Sequence, residues 1–245
     1  MLQTSGNIRI NLVVWLPDDH ELRLENKFGD IIMGDYQGET QIILSNGKLK
    51  AGNLSQISNL NLSFSDANIG NLANSRITSN YSDIQIKNSN DLRFDSKSSN
   101  IEILKSDVLK IDSRRDKFRI RIADQIDASG NFTQFRISEL KNKANMRLSY
   151  GSLEMEKVVN SFSNIYIESR SADLNLYFSP EAKFNFQITE TKTDMNLGRE
   201  FKVEDKEVLD AKENKNRHSG YLGKKMQEDQ LIINSINGEI NALTY

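Results

Sequence analysis

The feature that most restricts this chain is a three-column repeat that returns along nearly its whole length. A triplet with apolar first and third residues starts at Ile31, Leu49, Ala67, Ile84, Ile101, Phe118, Phe135, Leu153, Leu174, Met195 and Ile240. Successive starts lie about 17 to 21 residues apart until the last gap, at the lower margin of solenoid periods. Seven residues before each start stands another apolar residue: Leu24, Ile42, Leu60, Ile77, Phe94, Ile111, Ala128, Met146, Ile167, Ile188 and Ile233. Two residues after each start come Met33, Ala51, Ile69, Ile86, Ile103, Ile120, Ile137, Met155, Leu176, Leu197 and Ala242. A spacing of two puts both apolar side chains on one face of a strand and the intervening, usually polar, residue on the other.

Turns separate the strands at Phe28-Gly29, Asn46-Gly47, Phe64-Ser65, Tyr81-Ser82, Phe132-Thr133, Tyr150-Gly151 and Asn237-Gly238, where small residues suit tight corners. A unit of near-constant length carrying short strands stacks corresponding strands in parallel, one strand spacing per coil. The fold class expected is therefore all-β: a single-domain parallel β-helix (solenoid), right-handed by the general rule for parallel crossovers. One coil alone cannot bury its apolar face, so the coils stand or fall together. A further column, Ser79, Ser96, Ser113, Gly130, Ser169 and Ser235, predicts hydroxyl ladders near a corner, a structural role. Leu44, Leu62 and Leu148 take the position in other coils, and Asn26 and Glu190 break it.

The ends differ from the middle. Ile8, Ile10, Leu12 and Val14 alternate up to Trp15-Leu16-Pro17 and predict a leading strand stopped by proline. Asp18-Asp19-His20-Glu21 has metal-ligand residue types, but its place just after the proline predicts a turn. Between Gly198 and Gln230 the repeat is lost to charge, which predicts a long mobile loop after one degraded coil around Phe201 and Val203, with His218 in solvent. The pattern returns from Leu231. The organisation expected is one domain over 1–245: a leading strand and cap at 7–24, regular coils at 24–197, a charged irregular insertion at 198–230 and a closing coil at 231–245.

A formal charge of -2 gives no electrostatic case for nucleic acid, and the basic run Arg114, Arg115, Lys117, Arg119, Arg121 is interleaved with Asp112, Asp116 and Asp124. With no cysteine, disulfide scaffolds, thiolate metal sites and cysteine nucleophiles are excluded. No apolar run reaches the roughly 18 residues of a membrane span, and Met1 to Gly6 carries no export leader. Export with a leader already removed stays open.

The turn-and-strand units Asn26-Lys-Phe-Gly-Asp-Ile-Ile, Leu148-Ser-Tyr-Gly-Ser-Leu-Glu and Asn234-Ser-Ile-Asn-Gly-Glu-Ile, with the segment Val13-Val-Trp-Leu-Pro, resemble a Bacteroides-group family of bacterial adhesins of unknown function. That family is similar to the head domain of auto-transporter adhesins. The resemblance covers nearly the whole chain and implies a right-handed parallel β-helix, export to the periplasm, outer membrane surface or exterior, and an adhesive role. It supplies no catalytic residues. Ser98-Ser99 and Arg115-Asp116 depart from the glycine form of the turn.

Function is then sought on the outward positions. Asn68, Gln85, Glu102, Arg119, Arg136, Glu154 and Asn175 fall on one face, and Arg23, Arg76, Arg93 and Lys110 on another. These flat polar faces predict a non-enzymatic adhesin or binding module of the cell envelope whose partner is a glycan or a protein, with no catalytic residue, cofactor or metal ligand assigned. The oligomeric state is left open. A polysaccharide-active enzyme is the first alternative, since stacking brings acids such as Asp95 and Asp112 together, but uniform short turns build no cleft. A structural or envelope-sensing solenoid is the second; the charged stretch near the C-terminus opposes end-to-end stacking.

Overall fold

A computed structural model describes residues 10–227 and 229–245. In chain order the strands are β1 (Leu22–Lys27), β2 (Ile31–Met33), β3 (Thr40–Ser45), β4 (Lys48–Ala51), β5 (Ser58–Ser63), β6 (Asp66–Asn80), β7 (Asp83–Lys97), β8 (Asn100–Arg114) and β9 (Lys117–Asn131). Then come β10 (Gln134–Ser149), β11 (Ser152–Val158), β12 (Asn164–Arg170), β13 (Asp173–Phe178), β14 (Phe184–Leu197), β15 (Phe201–Asp210), β16 (Lys215–Leu222) and β17 (Asp229–Thr244). All but β15 and β16 stack in parallel, and together they form an all-β solenoid of about nine turns. The described residues contain no helix, so none is long and apolar enough to cross a membrane.

The pairing follows the repeat. Leu22 pairs with Thr40, Asp66 with Asp83 and Ser152 with Asp173, so coil length runs from 18 to 17 to 21 residues. In β6 the pairing lapses at Gly70 and Ala73, which divides the long strand into three straight runs with bends between them. The apolar columns stack in register. Ile77, Phe94, Ile111, Ala128, Met146 and Ile167 line up across six coils and all are buried. Each burial of one of the larger side chains among them contributes roughly 1.5 to 3 kcal/mol. Volume is balanced between columns: Phe118 and Phe135 stack 5.3 Å apart, and a Cβ on neighbouring Gly130 would meet the Phe135 ring at 2.6 Å.

The corner is made in a way the small residues did not announce. It is the first residue of each turn that takes the left-handed backbone: Phe28, Asn46, Phe64, Tyr81, Ser98, Arg115, Phe132, Tyr150, Ser171 and Asn237 all have φ between 50 and 62°. Side chains with a Cβ resist this conformation by roughly 1–2 kcal/mol. The following residue turns inward and, in the middle coils, carries the polar ladder. Ser65 N–H donates to Ser82 Oγ at 3.2 Å, Ser82 N–H to Ser99 Oγ at 3.2 Å, and Ser99 N–H to Asp116 Oδ1 at 2.7 Å.

This differs from the ladder expected of the Ser79 column. Ser96 and Ser113 in that column instead donate sideways, both at 2.6 Å, to the buried Asp116 Oδ2, which also accepts the Arg114 N–H at 3.0 Å. Four donors around one carboxylate satisfy a group whose burial is otherwise costly. Among the described residues Ser79 Oγ finds no partner, whereas Ser169 Oγ donates to its register partner Ser235 Oγ at 2.9 Å, a ladder step of the kind expected.

Three expectations for the ends are corrected. First, Ile10, Leu12 and Val14 form no strand and are 73–85% exposed; Ile8 lies outside the described residues, as does the Met1 to Gly6 stretch. Alternation alone makes no strand without a partner to hydrogen-bond it. Second, the charged stretch at 198–230 is not an irregular insertion. β15 and β16 form an antiparallel hairpin whose second strand also pairs antiparallel with β14. Its charge is spent on outward positions, while Phe201, His218 and Leu222 are buried. His218 therefore does not lie in solvent: its Nε2 stands 3.6 Å from Oε1 of the equally buried Glu190.

Third, the closing coil does not close the stack. β17 lies between the coil of β12 and β13 and strand β14, parallel to both: Ile167 pairs with Ile233, which pairs with Ile188. β14 skips one layer as the chain climbs, and β17 returns to fill it. The order at that end is β12/β13, β17, β14, β16, β15.

Candidate binding face

The outward residue of each triplet is set by strand alternation, and stacking turns it into a continuous file. Asn68, Gln85, Glu102, Arg119, Arg136, Glu154 and Asn175 are successive register partners across seven coils. All seven sequence-predicted face residues are thus brought together. The file continues into Asn241 and Asn196, because β17 stands where the next coil would.

Side chains link along the file at both ends. Asn68 Nδ2 donates to Gln85 Oε1 at 3.2 Å, Asn241 Nδ2 to Asn175 Oδ1 at 3.0 Å, and Asn196 Nδ2 to Asn241 Oδ1 at 3.2 Å. The middle is charged. Arg136 lies 3.6 Å from Glu154 Oε2 and pairs closely with Glu156. The hydrogen bond to Glu156, then the charges of Glu154 and Glu156, hold the Arg136 guanidinium above its ordinary value. The Glu156 carboxyl is held below the usual carboxylate range, first by a hydrogen bond from Ser138 and then by Arg136, against a burial effect of opposite sign.

Arg119 has no ion-pair partner among the described residues, although Glu102 and Arg136 are its register neighbours. Beside it lies a shallow depression of about 310 Å³ lined by Glu102, Leu104, Arg119, Arg121, Arg136 and Ser138. Arg121, Ser138 and Glu156 were missed by the reading of the file itself. They occupy the next outward position, at the bend three residues after each triplet start, and the same period would have found them.

The second file is less continuous than its residue types suggested. Gln41 and Asn59 separate Arg23 from Arg76, whereas Arg76, Arg93 and Lys110 are direct register partners. Lys110 Nζ reaches Asp91 at 3.5 Å. Asp95 and Asp112 are register neighbours on exposed backbone positions of an open face. The Asp18 to Glu21 cluster is a turn fastened to the first coil. The Asp18 carbonyl accepts the Gln37 and Gly38 N–H groups, and the buried Tyr36 hydroxyl donates to the His20 carbonyl at 2.9 Å. Among the described residues no three His, Asp or Glu side chains converge as metal ligands would.

No family model, no curated protein and no solved structure matches this chain.

Proposed function

We propose that the chain is a non-enzymatic binding module of the cell envelope, acting after export, whose outward file from Asn68 to Asn175 docks a glycan or protein carrying negative charge. The observation that carries this reading is Arg119: a cation without an ion-pair partner among the described residues, set directly beside Arg136 in the adjoining strand. Like charges opposite one another oppose sheet pairing; Glu154 and Glu156 already offset Arg136, and a carboxylate or sulfate seated on Arg119 would supply the missing counter-charge with paired donors. The flat face suits an extended partner lying along the solenoid, each coil offering a polar group at every strand spacing.

The test is a glycan array and an extracellular-matrix panel read with the native protein, with R119E/R136E, and with R76E/R93E as a charge-matched control. The expected result is binding to anionic glycans or acidic proteins that weakens with salt, is lost in R119E/R136E and survives in the control. Binding to nothing on either panel, or equal loss in both variants, contradicts the proposal.

A further inference from the structure

The two ends of the solenoid are finished differently. Among the described residues no strand pairs with the outer edge of β1. Leu24 there is only half-buried, while Ile42 and Leu60, next in its column, are 0% and 2% exposed. Leu12, Trp15, Leu22, Leu24, Met33 and Tyr36 line a hollow of about 630 Å³ at this end, and Trp15 is 92% exposed. An apolar mouth rimmed by an unpaired strand invites another strand.

What fits that edge is set by hydrogen-bond parity and charge. Leu22 N–H donates to the Glu39 carbonyl and Phe28 N–H to that of Ser45, so the even-numbered residues of β1 turn their backbone toward β3. The odd-numbered residues turn theirs to the open edge. Those residues, Glu21, Arg23, Glu25 and Lys27, alternate in charge. Laid antiparallel on a second β1 with Leu24 opposite Leu24, Arg23 faces Glu25 and Lys27 faces Glu21, so every charge meets its opposite. Moving the centre to Arg23 or Glu25 sets like charges against each other throughout. The chain is thus self-complementary at this edge in one extended register, and its backbone parity permits that register.

We infer that the N-terminal edge is the contact of a head-to-head dimer, in which β1 of two copies pair antiparallel about Leu24 and the apolar mouths close on each other. The interface is isologous, as a two-fold contact must be. A head-to-tail contact lacks this basis, because at the other end β15 presents a run of charged, exposed residues from Lys202 to Glu207, broken only by Val203.

The experiment is sedimentation velocity on the full chain over a range of concentrations, with circular dichroism to confirm that each variant is folded. Arg23 and Glu25 side chains are 61% and 52% exposed, so their exchange leaves the core untouched. The native protein is expected to dimerise. R23E alone and E25R alone each set like charges across the axis and are expected to weaken dimerisation by about tenfold or more. Mixing the two variants restores opposite charges and is expected to recover the dimer as a heterodimer, and the double variant R23E/E25R dimerises like the native chain. A monomeric native protein overturns the inference and gives the edge to a different occupant. Single variants that dimerise normally, or a mixture no better than its components, overturn it equally.

Discussion

The two ends of this solenoid carry similar apolar columns yet solve opposite problems. At the C-terminal end β17 is slotted between two earlier layers, and the β15–β16 hairpin covers residues 184–191 of β14 with an edge strand dominated by charge, leaving only Met195 and Leu197 of the column half-buried. At the N-terminal end the first coil keeps its column but no described strand pairs on its outer edge, and Leu22, Leu24, Ile31 and Met33 stay half-buried although Leu12 to Leu16 lie against the hollow there. The repeat supplies stacking everywhere, whereas finishing a stack takes a segment that breaks the repeat.

The sharpest way to break this comparison is to place a charge in the inserted strand. Ile233→Asp puts a carboxylate between Ile167 and Ile188 in a fully buried layer and is expected to cost about 4 kcal/mol or more. Denaturant unfolding should show that loss, whereas Val14→Asp, at a position 73% exposed, should stay within about 0.5 kcal/mol. A milder version compares one substitution in one column. Leu60→Ala is expected to cost about 3 kcal/mol and Leu24→Ala about 1, because only the former empties a closed layer.

A third variant concerns the buried pair under the hairpin. His218→Ala leaves the Glu190 carboxylate with the Asn216 amide at 2.7 Å as its remaining described partner, and its Oε2 is already unpartnered. The expected cost is about 2 kcal/mol, with hydrogen-exchange protection lost in β14 to β16 and kept in β6 to β9. The smallest effect is expected from the surface of the same cap. Hydrogen bonding to Glu204, with its charge, raises the Lys225 pKa above the ordinary value. A raised folded value stabilises below the unfolded pKa and fades as pH rises through the folded one. Since the group is exposed, Lys225→Ala should change the neutral-pH melting temperature only slightly, and whatever difference it makes should vanish as pH rises through the Lys225 pKa in the alkaline range.

The regular coils and the polar file were legible because alternation and period are properties of local sequence. Each outward residue from Asn68 to Asn175 is a fixed step from an apolar neighbour, so naming the columns names the face. The position of β17 was not legible for the same reason: Ile233, Ile240 and Ala242 satisfy every column, which establishes membership of the stack and says nothing of order within it. The hairpin was hidden by its composition. Only Phe201 in β15, and His218, Gly220 and Leu222 in β16, face inward, and charge on the remaining positions looks like a solvated loop. Ile10 to Val14 misled in the opposite direction, showing strand alternation in a segment that pairs with no described strand.

Layer order is the claim on which the account of the two ends rests, and a chain without cysteine allows it to be measured by cross-linking. Glu168 pairs with Asn234, which pairs with Thr189 on its far side, so Glu168 and Thr189 are two layers apart. The account predicts that E168C/N234C forms an intramolecular disulfide under mild oxidation and that E168C/T189C does not, since two strand spacings exceed the reach of the bond. Efficient cross-linking of E168C/T189C, with none in E168C/N234C, would place β14 directly on β12 and contradict it.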